Sequence, residues 1–191
     1  YHLKKKKYPL MEDHDAPGMI TKHITDKGIS TKPTYAAYEN DRHLIFASNR
    51  VGYSNIYRIP YKQGDPEERR EIETIIKGER TSEFEAFNLL HGKMDVDQRG
   101  NLAFVSKSNG RDALYIYSLP EKRVLSRHQF KDMVRMHSPS WSPDRERVVF
   151  SGNSFAGKND LYIVELATDK LTQLTNDFYE DRDPAWSPDG H

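Results

Sequence analysis

The chain contains no cysteine, carries no net charge and holds no long apolar run, and each absence removes a class of function. Without cysteine there is no disulfide framework, no thiol nucleophile and no Cys-ligated zinc or iron–sulfur site. The 29 Lys and Arg are matched by 29 Asp and Glu, which leaves none of the basic excess by which a protein grips a nucleic-acid backbone. No stretch approaches the roughly 18 to 20 apolar residues of a membrane-spanning helix, so no transmembrane segment is expected, and Tyr1 opens no secretory leader pattern. What remains is a polar chain, 36% hydrophobic and 30% charged, that still carries 11 Tyr, 8 Phe and 2 Trp. Charge-driven disorder comes with high net charge and few aromatics, so this chain is expected to fold. Its 191 residues fit one large domain, or one domain and a tail, at about 150 residues per domain.

The organising feature is an internal repeat. Pro139-Ser-Trp-Ser-Pro-Asp144 returns as Pro184-Ala-Trp-Ser-Pro-Asp189, with Trp141 and Trp186 separated by 45 residues. After the first copy come Arg147-Val-Val-Phe-Ser151, a turn-rich stretch, Asp160-Leu-Tyr-Ile-Val-Glu165 and Lys170-Leu-Thr-Gln-Leu-Thr175. With the Pro-x-Trp segment, these are four strands separated by turn chemistry. Leu102-Ala-Phe-Val-Ser106 and Leu44-Ile-Phe-Ala-Ser48 repeat the second strand, and Ala113-Leu-Tyr-Ile-Tyr117 and Asn55-Ile-Tyr-Arg-Ile59 the third. Phe46 to Tyr57 and Phe104 to Tyr115 are 11 residues apart, and Phe150 to Tyr162 is 12. Four antiparallel strands per 40 to 45 residues is the arithmetic of an all-β propeller blade.

The blades are expected at residues 33–77, 88–130 and 138–175, with the start of another at 183–191. Because Ala185–His191 stop inside a pattern that was complete 45 residues earlier, the chain is expected to be an excerpt of a larger ring. Residues 1–18, with Lys4–Lys7, look like a helix tail and a linker. Met19–Asp26 resembles the outermost strand of the third blade and is expected to be an outer or closing strand, so that the propeller runs over 19–191. A charged insertion, Gln63–Arg70, has in Asp65-Pro-Glu-Glu68 the opening of a short helix, but the alternation of Ile72, Thr74 and Ile76 favours a hairpin tip leading into an outer strand at Glu71–Lys77. Ser-Pro-Asp-Gly supplies turn chemistry, Pro presetting φ and Gly accepting φ > 0. Arg145 stands where Gly190 stands in the next copy, so that turn is expected to be strained or differently shaped.

The Pro-x-Trp-Ser-Pro-Asp turns, the Asp-Leu-Tyr-Ile strand and the Leu-Thr-x-Leu-Thr ending resemble the TolB-type, WD40-like β-propeller repeat. A narrower resemblance rests on Leu3–Leu10, Gly78-Glu-Arg-Thr-Ser-Glu-Phe-Glu85 and Gly110-Arg-Asp-Ala-Leu-Tyr115. These look like the region after a gluzincin-type metallopeptidase domain in bacterial exported proteins. That resemblance implies a periplasmic or extracellular location and an upstream domain whose last helix ends in residues 1–10. The chain departs from it in having no His-Glu-x-x-His motif, so no peptidase activity falls on these residues.

No catalytic, cofactor-binding or metal-ligating residue is nominated, and no cofactor is expected. The eight histidines show no helical i, i+4 pairing and read as scattered surface or turn residues. Asp177, Glu180, Asp181 and Asp183 offer oxygen ligands but lack the spacing of a calcium loop, and read as a solvated loop. Glu83 and Glu85 read as solvated acids of an inter-blade loop. No Gly-x-Ser-x-Gly elbow is present. Trp141, Trp186, Phe46, Phe104, Phe150, Tyr57, Tyr115 and Tyr162 recur with the blades and are expected in the core. Tyr53, Phe155 and Phe178 fall in loops off the repeat and are the expected contacts to a protein or peptide partner. The sequence therefore points to a non-catalytic interaction scaffold, or to an accessory propeller that gates or positions substrate for an attached peptidase. Other expected partners are further blades or a neighbouring domain of the same protein.

Overall fold

The computed structural model describes residues 34–38, 41–49, 51, 54–60, 72–78, 84, 86–87, 93–155 and 157–190. The tail and linker at 1–18, the segment 19–26, the insertion 63–70, and Tyr53, Glu83 and Glu85 lie outside the described residues. Within them the chain is strand and turn, arranged as three antiparallel sheets in chain order. The first sheet runs β1 (Thr34–Tyr38), β2 (Asp41–Ser48), β3 (Asn55–Pro60) and β4 (Glu73–Ile76), each strand beside the next. The third repeats this order with β10 (Met133–Trp141), β11 (Arg147–Ser154), β12 (Asn159–Glu165) and β13 (Lys170–Gln173).

The second sheet differs in one respect. Its β7 (Asn101–Ser108), β8 (Arg111–Ser118) and β9 (Arg123–His128) match the other sheets, but two short strands, β5 (Ala86–Phe87) and β6 (Asp95–Val96), share the place of a single inner strand beside β7. This sheet therefore has five strands where the repeat predicted four.

The Phe–Tyr spacing has a direct cause in register. Phe46 lies opposite Tyr57, Phe104 opposite Tyr115, and Phe150 opposite Tyr162. Their rings stack across the strand pair at 5.7, 5.4 and 5.9 Å between centroids. Such cross-strand pairs stabilise a sheet and fix its register, because a one-residue slip of either strand would put the two rings on opposite faces.

The turns follow their chemistry. Asn109 and Gly110 both have positive φ, 52° and 75°, as a two-residue type I′ hairpin between β7 and β8 requires. The turn opening β11 has Arg145 N donating to Ser142 O at 2.9 Å, and its counterparts are Gly100 N to Asp97 O at 3.1 Å and Gly190 N to Ser187 O at 3.0 Å. Gly100 and Gly190 have φ of 79° and 80°, and Arg145 takes 64°. Arg145 thus keeps the glycine geometry and carries the steric cost of a left-handed side chain.

The sheets pack face to face through two cores. Ile45, Ala47, Ile56 and Ile76 of the first sheet meet Phe104, Tyr115, Tyr117 and Leu102 of the second. Ala103, Leu114 and Ile116, on the opposite face of the second sheet, meet Phe150, Tyr162 and Val164 of the third. The first and second sheets thus each offer an aliphatic face to the aromatic pair of the next. Phe84 joins the first core, its ring 5.0 Å from that of Tyr115.

Candidate functional site

The innermost strands are tied together by polar side chains that recur at the repeat spacing. Asp95 of β6 accepts from Trp141 N at 2.8 Å and from Ser140 Oγ at 3.1 Å, both on β10. Ser138 Oγ in turn donates to the carboxylate of Asp183, 45 residues on. Ser138 and Asp183 share the same positive φ, 52° and 51°. In β10 the register with β11 shifts between His137 and Ser140, which is where Ser138 and Pro139 sit. A bulge is a place where a strand tolerates a proline and re-aims its side chains.

A second set of bonds anchors the outer connections to these strands. Met136 N donates to Asp112 Oδ2 at 3.0 Å. Burial pushes the Asp112 carboxyl above its ordinary value, and this backbone bond opposes the shift. One blade later, Asn159 Nδ2 donates to Asp181 O at 2.9 Å while Asp181 N donates to Asn159 O at 3.0 Å. His137 Nε2 lies 3.2 Å from Asn159 Oδ1. Asp112 and Asn159, at the starts of β8 and β12, therefore clasp the chain entering the next unit.

These clasps hold two loops together. The hairpin after β11 and the connection after β13 meet where Lys158 Nζ donates to Asn176 Oδ1 at 3.1 Å. Between them is a groove of about 370 Å³ lined by Asn153, Gly157, Lys158, Asn159, Phe178, Tyr179 and Glu180. Phe178 is 98% exposed and Tyr179 79%, and Phe155 at the hairpin tip is 68% exposed. Phe155 and Phe178 thus belong to adjoining loops, whereas Tyr53 lies outside the described residues. Tyr179 was not singled out in the sequence, although its adjacency to Phe178 was the available signal.

The remaining nominated residues are placed as follows. Phe46, Tyr57, Phe104, Tyr115, Phe150, Tyr162 and Trp141 are buried. Trp186 is half-buried, with the Arg147 guanidinium 4.8 Å above its ring. Among the described residues no three His, Asp or Glu side chains converge as a metal site. The acids of the 177–183 stretch are engaged separately: Asp177 Oδ1 accepts from Tyr179 N, Glu180 pairs with Arg182, and Asp183 bonds Ser138. No helix among the described residues is long and apolar enough to cross a membrane.

Antiparallel four-stranded units, packed face to face and joined at their inner strands, define an all-β propeller. The fold is similar to that of TolB propellers. The Tol-Pal system protein TolB of Francisella tularensis subspecies holarctica is 28% identical over 195 residues, spanning 96% of this chain and 41% of the relative. The solved TolB of Acinetobacter baumannii superposes over 85% of this chain and 36% of its own, with a TM-score of 0.63 at 17% identity. The putative TolB of Agrobacterium tumefaciens covers 85% of this chain and 52% of its own, with a TM-score of 0.57 at 19% identity. A Mycobacterium tuberculosis puromycin-hydrolyzing peptidase shares the fold over 75% of this chain and 20% of its own, with a TM-score of 0.52 at 15% identity. No protein-family model matches the chain. The chain spans about two fifths of the length of the curated relatives it matches.

Proposed function

We propose that this chain is a non-catalytic propeller scaffold that holds a protein or peptide partner, as part of an exported bacterial protein of the periplasm or cell exterior. The observation that carries the reading is the groove between the β11–β12 hairpin and the connection after β13, where Phe178 and Tyr179 stand exposed on a framework of bonded inner strands. Rigid sheets holding variable loops are how propellers present binding surfaces, and exposed aromatics are the usual anchors of an interface. The relatives named as Tol-Pal system proteins support the same reading. Residues 183–190, which repeat the turn of 138–145, are read as the opening of a further blade.

The test is affinity capture from periplasmic extract by the full-length protein, with the recovered partner titrated against wild type and a Phe178→Ala/Tyr179→Ala double variant. The reading expects a specific partner whose affinity falls by about 30-fold or more in the variant, the effect of losing an anchor of about 2 kcal/mol. Equal binding by both proteins, or no partner, overturns it.

The second reading is an accessory propeller that gates or positions substrate for an attached peptidase, of which the metallopeptidase implied by the narrower resemblance is one case. It is favoured by the shared fold with a puromycin-hydrolyzing peptidase. Peptide hydrolysis by the full-length protein, altered by substitution at the groove, separates it from the first.

A further inference from the structure

The outer rim between the second and third sheets carries an arrangement that the scaffold reading does not use. Ser126 and His128 are alternate residues of β9, so their side chains share a face. They lie opposite Ile116 and Leu114 of β8, both buried, which gives the imidazole an apolar floor. Asp169, in the β12–β13 turn at a φ of 59°, reaches back from the next sheet to bond His128 Nδ1. Ser126 Oγ lies 2.8 Å from His128 Nε2. His128 is 3% exposed, whereas the Asp169 side chain is 67% exposed and Ser126 is half-buried.

The hydrogen-bond roles follow from elementary inventory. An ionised carboxylate only accepts, so Nδ1 carries the proton toward Asp169. In the neutral imidazole, Nε2 is then the lone-pair nitrogen, and Ser126 Oγ–H donates to it. A serine donating to a histidine whose far nitrogen is oriented by an aspartate is the connectivity of an activated nucleophile, a constellation recognised by geometry and roles rather than by sequence position.

We propose that, apart from the scaffold role of the groove, which is itself non-catalytic, the rim holds a second and catalytic function: Ser126 is a base-activated nucleophile, with His128 as its base and Asp169 as the residue that positions the base, acting on small activated carboxylic esters. Ser126 Oγ adds to the carbonyl carbon as its proton passes to His128 Nε2. The tetrahedral adduct collapses, and the departing alkoxide takes that proton and leaves as alcohol. Water then adds to the acyl-serine carbonyl as its proton passes to the same nitrogen, and collapse of that adduct breaks the acyl–Oγ bond, returns the proton from Nε2 to Ser126 Oγ and frees the acid, so that ester and water become acid and alcohol. Among the described residues β9 is the outer edge of its sheet, and the outward N–H groups of an edge strand have no sheet partner. With only such groups and solvent to meet the oxyanion, turnover is expected to be slow, and acylation is the step to measure.

The experiment treats the full-length protein with an alkyl fluorophosphonate and with p-nitrophenyl acetate, and maps the adduct by peptide mass spectrometry. The expected result is a single adduct on Ser126, formed at least about 100-fold more slowly in His128→Gln and in Asp169→Asn. Asp169 is exposed and asparagine tolerates its left-handed backbone, so that variant keeps the fold, as circular dichroism will verify. Absence of an adduct on Ser126, or an unchanged rate in Asp169→Asn, overturns the proposal and leaves the trio as a clasp between two sheets.

Discussion

Asp144 shows how a single side chain can report on a propeller turn. Its Oδ1 accepts from Ser142 Oγ and, at 2.9 Å, from Glu146 N, while its Oδ2 lies 2.7 Å from Arg147 Nη2. The Ser142 bond, then the Glu146 backbone bond, then Arg147 hold the carboxyl at about 2 against an ordinary 3.8. A carboxyl whose folded value is depressed contributes stability that is complete above its unfolded value and is lost as pH falls through the folded one. The window here runs from 3.8 down to about 2. The side chain is 40% exposed, so solvent screening limits the contribution to about 1 kcal/mol or less. Urea unfolding in acid should therefore show wild type losing more stability across that window than Asp144→Asn, by up to about 1 kcal/mol. Parallel loss in the two proteins would mean that the turn does not depend on the charge. Arg145, next to it, shows the limit of reading residues one by one. The sequence leaves strain and altered shape as alternatives, and only the φ of 64° decides for strain.

Among elements, the inner strand carries the sharpest contrast. Trp141 and Trp186 occupy equivalent places, yet Trp141 is 8% exposed within the second core while Trp186 is half-buried. Truncating a buried aromatic removes its transfer free energy and leaves a cavity, so Trp141→Ala should cost roughly 3 to 5 kcal/mol in urea unfolding. Trp186→Ala in the 191-residue chain should cost well under half of that, because fewer neighbours surround its ring. Equal losses would show that residues 183–190 are part of the same cooperative core. The strands themselves were legible because each blade repeats the same alternation, the same Phe–Tyr pairing and the same turn residues. The split of the inner strand into β5 and β6 was not legible, since Val96-Asp-Gln-Arg-Gly100 lacks the Pro-x-Trp signature of the third unit. The groove was legible only in part: Phe155 and Phe178 stand out as aromatics off the repeat, but their adjacency depends on Lys158, Asn159 and Asp181, which carry no local signal. Ser126, His128 and Asp169 are further from sequence reading still, because the histidine and its carboxylate are 41 residues apart and meet across two sheets.

At the scale of the molecule, each sheet touches the next through one apolar face, and polar bonds join the same sheets at two radii. Near the axis, Asp95 holds Ser140 and Trp141. At the rim, Lys122 and Asp169 occupy the same left-handed position of successive β-turns, and each reaches back to the outer strand of the preceding sheet. Lys122 approaches Glu73 at 4.0 Å, and Asp169 bonds His128. The reaching residue is a lysine set against a carboxylate at one interface and a carboxylate set against an imidazole at the next, so a wrong neighbour would bring Asp169 against Glu73, which favours the right order over alternative pairings. An architecture in which units contact only their neighbours has stability that is approximately a sum of unit and interface contributions. Asp95→Ala removes the acceptor of a backbone N–H and a hydroxyl that stay partly buried, at a cost of about 1 to 3 kcal/mol. The loss should be confined to the interface between the second and third sheets. Hydrogen exchange should accelerate in β6, β10 and β11, while β2 and β3, anchored in the other core, keep their protection. Uniform acceleration across all three sheets would show instead that the propeller opens as one unit, and that the interfaces are too strongly coupled to be read separately.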